Sequence, residues 1–391
     1  MSNIIEIHEV CDVFDGPHAT PKKTATGPIY LGIDAITADC RLNPLEYNYL
    51  SEEDYKIWTK RVTPIENDIV FSYEATLGRY AMIPADFYGC LGRRLALIRV
   101  KDNRINPTWL YYYFMSPEWK VFIANHTVKG STVDRISVEA FPSYKIPLIE
   151  RQKQDDIVKI LKSIDDKIEN NKRICSELES MAKTLYDYWF VQFDFPDENS
   201  KPYRTSGGEM VWNAQLKREI PKGWEVKNID NLTKVVTGKE DANFSTSNGK
   251  YKFFTCSQET LSCDTPAFSG HAVLIAGNGD FNVKHYSGEF NAYQRTYVLI
   301  PENLVYYGAM YISAKNQIQA FKNGSNGSIV KFITKSDVEN IPFIVPNEDS
   351  IFYQLNKLVE KIELCERENE ELTKLRDWLL PMLMNGQARV E

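Results

Sequence analysis

The residues best suited to chemistry in this chain are cations, amides and histidines set in polar loops. In the N-terminal part they are His18, Thr20, Lys22, Lys23, Arg79, Arg93, Arg94, Lys129 and Ser131. Farther along they are Lys239, Asn243, Lys250, Lys252, Asn278, Lys284, His285 and Arg295. Arginine grips guanine with two hydrogen bonds, asparagine does the same for adenine, and Lys, Ser and Thr seat phosphates. The mixture therefore suits the reading of base edges in a DNA groove. A surface lysine taken alone usually does no more than face water, so the grouping carries this reading and no single member does.

Catalytic sets are weaker. Pro196-Asp197 followed by Glu225-Val226-Lys227 has the letters of a metal-dependent nuclease, a carboxylate and then Glu-x-Lys to hold Mg²⁺ and orient water. The Asp falls in a linker-like stretch, however, and an exposed strand explains the Glu and Lys as well. A DNA methyltransferase would need a glycine-rich cofactor loop and an Asn/Asp-Pro-Pro-aromatic loop. Asn106-Pro107-Thr108-Trp109 and Gly277-Asn278-Gly279 fit neither, and no Gly-Lys-Ser/Thr phosphate loop occurs. Seven cysteines without a Cys-x-x-Cys pair and five scattered histidines offer no sequence-local zinc site. The expectation is a protein without its own catalytic centre, metal or cofactor. A net charge of -7 argues against a protein that coats nucleic acid indiscriminately, yet leaves room for local basic patches.

These loops need a scaffold, and two stretches supply it. From Asp155 to about Phe190, apolar or small residues recur in steps of three and four, the phase of a helix with a coiled-coil seam. The pattern returns near the C-terminus, each position 194 residues after its counterpart. A lone helix cannot bury such a stripe, so the two are expected to zip together antiparallel. The pairs would be Leu161 with Leu379, Ile168 with Leu372, Asn171 with Asn369, Cys175 with Cys365, Leu178 with Ile362, and Leu185 with Leu355. Facing the two asparagines spares each amide an aliphatic partner.

The globular parts repeat as well. Ile7, Val10, Val13 and Gly16 match Ile229, Leu232, Val235 and Gly238 at 222 residues, while Tyr112-Tyr113 match Tyr306-Tyr307 and Gly130-Ser131 match Gly324-Ser325 at 194. The fold class is α+β. Ile69–Phe71 and Leu95–Val100 read as strands, and Pro107 to Phe122 as helical. The bounds expected are a first module over 1–150, a central helix over 151–195, a second module over 196–346 with a linker at 197–220, and a C-terminal helix over 347–391. No run of eighteen apolar residues and no signal peptide is present, which predicts a soluble, cytoplasmic protein.

With these features assembled, the chain resembles the specificity subunits of type I restriction-modification systems. The likeness rests on Ile164 to Asn171, on Trp189-Phe190-Val191-Gln192-Phe193-Asp194, on Pro221-Lys222-Gly223-Trp224-Glu225-Val226, and on Leu379 to Gly386. Asp15-Gly16-Pro17-His18-Ala19-Thr20-Pro21 is similar to the opening loop of one class of target recognition domain. The resemblance implies that each module reads one half of a split site on double-stranded DNA. It further implies that the helices set the spacing and dock two methyltransferase subunits, which endonuclease/translocase subunits join. S-adenosylmethionine, ATP and Mg would serve those partners. A rival reading is a non-DNA adaptor or adhesin with two protein-binding modules on a helical stalk.

Overall fold

The computed structural model describes residues 3–130, 133–279, 281–322 and 332–388. Its packing divides into two units, Met1–Ile168 with Glu371–Glu391, and Glu169–Glu370. The division falls inside both long helices, so each unit holds one module and a length of each helix.

The first unit contains β1 (Asn3–Glu6), α1 (Ile7–Val10), β2 (Cys11–Asp15), β3 (Thr24–Leu31), β4 (Asn48–Tyr49), α2 (Glu52–Trp58), β5 (Ile69–Ser72), β6 (Tyr80–Met82), β7 (Gly89–Leu91), β8 (Leu95–Val100), α3 (Pro107–Met115), α4 (Pro117–His126), β9 (Thr127–Val128), β10 (Arg135–Ile136) and β11 (Lys145–Leu148). Strands β1 and β11 pair antiparallel with Asn3 opposite Leu148, which joins the two ends of the module. The main sheet has the order β2-β8-β5-β6, and a smaller one the order β4-β3-β7. Strands β5 and β8 are apolar almost without interruption because both of their faces are covered. Ile69, Phe71, Ala96 and Ile98 enter a core with Trp109 and Phe114 of α3, while Val70, Leu95 and Leu97 enter a second core with Leu31 and Leu91. The helical stretch expected from Pro107 to Phe122 is two helices. Pro117 lacks the N–H that would continue α3, and the Ser116 hydroxyl accepts a hydrogen bond from Trp119 N (3.2 Å), capping α4.

The second unit repeats this plan. It contains β12 (Met210–Asn213), β13 (Arg218–Pro221), β14 (Glu225–Asn228), β15 (Val236–Thr237), β16 (Tyr251–Phe254), β17 (Leu261–Cys263), β18 (Phe268–Ala276), β19 (Val283–Ala292), β20 (Thr296–Leu299), α6 (Tyr307–Lys322), α7 (Lys335–Glu339) and β21 (Pro342–Val345). Here β14 pairs with β21, Glu225 opposite Val345, as β1 does with β11. The sheet order is β15-β20-β18-β19-β16-β17, whose first four strands reproduce β2-β8-β5-β6. The stretch expected as a linker carries the hairpin β12-β13, closed where Asn213 Oδ1 accepts from Gln215 N and Leu216 N. Polar turn residues there make a structured turn and not a flexible tether. Phe190, Phe193 and Phe195 surround Trp224 with ring centroids 5.7, 5.9 and 4.5 Å away, so the aromatic cluster anchors the helix end in this module.

The long helices are α5 (Arg151–Tyr186), which runs into a π-helical turn over Asp187–Val191, and α8 (Ser350–Met384). They are antiparallel in both units: Asp165 meets Arg376 in the first, and Asn171 meets Glu368 and Phe190 meets Phe352 in the second. Leu161, Ile168, Asn171, Leu355 and Ile362 are buried, whereas Cys175, Leu178, Leu185, Cys365, Asn369, Leu372 and Leu379 are half-buried. Part of each stripe turns to the modules: Ile157, Leu161, Leu380 and Leu383 join the first core, and Ala182, Trp189, Phe352 and Val359 join the second. The expected Asn171–Asn369 pair gives way to a different one. Asn171 Nδ2 donates to Glu368 Oε2 at 2.6 Å, because a carboxylate is the stronger acceptor, while Asn369 Oδ1 finds no hydrogen-bond donor among the described residues. Among the described residues no helix is long and apolar enough to cross a membrane.

Candidate nucleic-acid interface

Antiparallel pairing gathers distant loops at one end of each main sheet. In the first module Asp15 faces Ala96, Ser72 faces Leu95 and Phe71 faces Tyr80, so the end of β2, the start of β8, the end of β5 and the start of β6 share one edge. From that edge spring the loop with His18, Thr20, Lys22 and Lys23, all exposed, the turn with Arg93 and Arg94, and the turn that ends in Arg79. Gly16 is the hinge of this arrangement. Its N–H donates to Leu95 O at 3.0 Å, and a Cβ on it would lie 2.3 Å from the same oxygen.

The cations of this edge differ in freedom. Arg93 is exposed, its N–H donating to the Tyr30 hydroxyl at 3.1 Å. Arg94 adopts a positive φ of 71° and pairs with Glu74 at 3.0 Å, while Arg79 donates to Ile36 O at 3.0 Å. His18 pairs with Asp15 at 2.9 Å. Lys129 is exposed beyond β9; Ser131 lies outside the described residues, as do Gly324 and Ser325 of the repeat. Three cations near this edge escaped the sequence reading. Lys60 and Arg61, just after α2, share a recess with Asp15, Gly16 and Pro17. They form an adjacent basic pair in the chain, but only the fold carries them to the opening loop. Arg135 of β10 is likewise exposed, its backbone paired antiparallel with that of Glu74.

The second module builds the same edge with other residues. Thr237 faces Tyr297, Ala276 faces Thr296 and Ile275 faces Val283. Lys239, Arg295 and Asn278 follow or precede these strand ends, with Lys239 and Arg295 exposed. Gly238, the counterpart of Gly16, donates to Thr296 O at 3.1 Å, and its Cβ would meet Ala292 O at 1.9 Å. Arg94 directly precedes β8 and Arg295 directly precedes β20, so they hold equivalent places. Asn243 is exposed, and Lys250 is exposed with its ammonium 5.0 Å above the Tyr251 ring.

Lys252, Lys284 and His285 instead line a cavity of about 620 Å³ with Glu179, Glu366 and Glu370. Lys252 pairs with Glu370 at 2.5 Å. Lys284 donates to Ser257 O at 2.7 Å, and burial lowers its pKa. His285 is buried beside Glu363 and edge-on to Tyr311, so its ring is not presented to solvent.

The nuclease-like letters do not converge. Lys227 pairs with Glu225 at 3.1 Å, and Asp197 accepts from Asn199 N and Lys201 N of its own turn. No group of three metal-binding side chains forms among the described residues.

Comparison with known proteins agrees with the geometry. The family described as type I restriction modification DNA specificity domain matches residues 2–180 and 221–374. Over 180 residues the chain is 34% identical to the specificity subunit of the type I restriction enzyme EcoDI from Escherichia coli, a match covering 44% of this chain and 40% of that protein. Over 383 residues it is 25% identical to the MjaIX specificity subunit from Methanocaldococcus jannaschii, covering 88% of this chain and 84% of that one. Its fold is similar to the crystal structure of the type I restriction-modification S subunit from M. genitalium, with a TM-score of 0.55, 16% identity, and coverage of 97% and 95% of the two chains. Two copies of one scaffold, each with a loop-bearing edge, on paired helices: this chain belongs to the type I restriction modification DNA specificity family.

Proposed function

We propose that this chain reads a bipartite, asymmetric DNA site within a type I restriction-modification complex, one half-site per module, and carries out no chemistry itself. The observation that carries this reading is the shared strand order of the two sheets, which present unlike side chains from equivalent edges. Equivalent edges suit equivalent docking on two half-sites, and unlike loops imply unlike sequences. The family match gives no support to the adaptor or adhesin reading. Electrophoretic shifts at stated salt, with and without the methyltransferase partner, test the proposal. Specific, salt-sensitive binding to a split site supports it, and absence of sequence preference with partner present contradicts it.

The helices also dock two methyltransferase subunits in this reading, with endonuclease/translocase subunits joining them. S-adenosylmethionine, ATP and Mg belong to those partners, and the assembly works in the cytoplasm. Support comes from an apolar groove of about 490 Å³ lined by Met181, Leu185, Tyr188 and Leu358, in which Met181 is 57% exposed. The positions 194 residues on from Met181, Thr184, Leu185 and Tyr188 are Leu375, Trp378, Leu379 and Met382. Of these, Leu375 is 43% and Trp378 57% exposed. A surface that recurs with the repeat fits two copies of one partner. Native mass spectrometry should find two methyltransferase subunits on the wild type and one on either Met181→Glu or Trp378→Glu; two on both variants would remove these patches from the interface.

A further inference from the structure

Apolar packing alone does not fix where a module stands on its helix. Sliding by one helical turn, about 5.4 Å, would exchange one set of apolar neighbours for another, a change that apolar contacts resist less sharply than directed bonds do. A hydrogen bond to a buried carboxylate tolerates no such slip, since its length and angle define one position. Each unit contains such a carboxylate on a long helix.

In the first unit Asp165 of α5 accepts from the Tyr112 hydroxyl of α3 at 2.7 Å, from Arg376 Nη1 of α8 at 3.1 Å, and from the guanidinium of Arg41. In the second, Glu363 of α8 accepts from the Ser287 hydroxyl of β19 at 2.7 Å and from the Tyr307 hydroxyl of α6, with His285 Nδ1 at 3.3 Å. The helices that supply the tyrosines, α3 and α6, hold the same place in the two modules. Burial, reinforced by the facing carboxylate, raises the pKa of both tyrosines, which keeps their hydroxyls as donors.

We propose that Asp165 and Glu363 are positioning residues for DNA recognition, each locking its module to one register on the long helices and so setting which gap between half-sites is accepted. This rests on the bipartite reading above. One base pair advances the duplex by about 3.4 Å, so a slip of one helical turn would exchange gaps differing by one or two base pairs. The two locks suppress that exchange. Tyr112, Arg41, Tyr307 and Ser287 act through them, and no base is touched by either carboxylate.

The test uses the full chain in complex with its methyltransferase partner and duplexes carrying the wild-type half-sites at the native gap and at gaps one or two base pairs longer or shorter. The variants are Glu363→Gln, Asp165→Asn, Tyr307→Phe and Tyr112→Phe. Discrimination against the wrong gap should fall about tenfold or more for a carboxylate variant, the equivalent of one hydrogen bond to a charged group, and less for the phenylalanines. Discrimination among half-site sequences should stay at the wild-type value, a separation that a general loss of stability would not produce. Folded variants with wild-type gap discrimination would overturn the proposal, as would parallel loss of gap and half-site discrimination. If the carboxylate variants do not fold, the two phenylalanine variants decide by the same criteria. A wild-type complex without any gap preference would instead overturn the bipartite reading.

Discussion

The two modules share a strand order and differ in how they use their cations. At the sheet edge of the first, Lys22, Lys23, Lys60, Arg61 and Arg93 are all exposed. The second exposes Lys239 and Arg295 at the equivalent edge, while Lys252, Lys284 and His285 are held inward by Glu370, Ser257 O and Glu363. A base in the right stretch of sequence is thus available to DNA only if the fold leaves it unspent. The joints to the helices also differ: the first module meets Asp165 with the Arg41 guanidinium and the Tyr112 hydroxyl, with Arg376 of α8 beside them, and the second meets Glu363 with two hydroxyls and an imidazole.

The largest contrast is expected at those joints. Asp165→Ala takes the shared acceptor from Arg41, Tyr112 and the buried Arg376, leaving Arg376 only the exposed Asp377, and should destabilise the first unit by about 3–5 kcal/mol. Glu363→Ala leaves two hydroxyls and an imidazole without their acceptor and should cost the second about 1–3 kcal/mol. Denaturant unfolding followed by a probe in each unit checks both, and equal losses would erase the distinction.

Next come the hinge glycines. Gly16→Ala and Gly238→Ala each drive a Cβ into a backbone oxygen, at 2.3 and 1.9 Å, and should cost about 1–3 kcal/mol apiece. Calorimetry on the two variants would show whether the modules share this constraint; no loss at either position would mean that the loop relaxes freely.

Smaller in stability but decisive for binding are the equivalent arginines. Arg295→Ala should weaken specific binding by about 1–3 kcal/mol if Arg295 grips a base, whereas Arg94, already paired with Glu74, should lose less. Titrations across a salt series rank the pair, and a larger loss at Arg94 would reverse the assignment.

The mildest effect concerns pH. Burial acts to raise the pKa of Glu363, but hydrogen bonds from His285, Tyr307 and Ser287 outweigh it and hold the group below the usual carboxylate range. The ionised joint therefore stabilises the second unit above the unfolded value near ~4.3, and that contribution is lost as pH falls through the lower folded value. Glu363→Gln should flatten this acid limb. An unchanged limb would remove Glu363 as its source.

Much of the scaffold was legible in the sequence because it is periodic. The long helices and the register of the repeat follow from steps of three and four and from Gly16 matching Gly238, and β5 and β8 announce themselves as apolar runs. The break between α3 and α4 is written in Pro117, whose missing N–H cannot continue a helix. Other features depend on rotation or distant packing. Whether Asn171 meets Asn369 or Glu368 is decided by a fraction of a helical turn, and the burial of His285 depends on α8, dozens of residues away. The polar composition of 197–220 concealed a hairpin because turn residues and linker residues are the same residues.

The central claim is that the modules read and the helices measure. Insertion of four residues after Asn170 in α5 lengthens that helix by ~6 Å, against ~3.4 Å per base pair of duplex. Genome-wide mapping of methylated sites for this variant should show both half-site sequences unchanged and the gap between them longer by one or two base pairs. Altered half-sites with an unchanged gap would contradict the account.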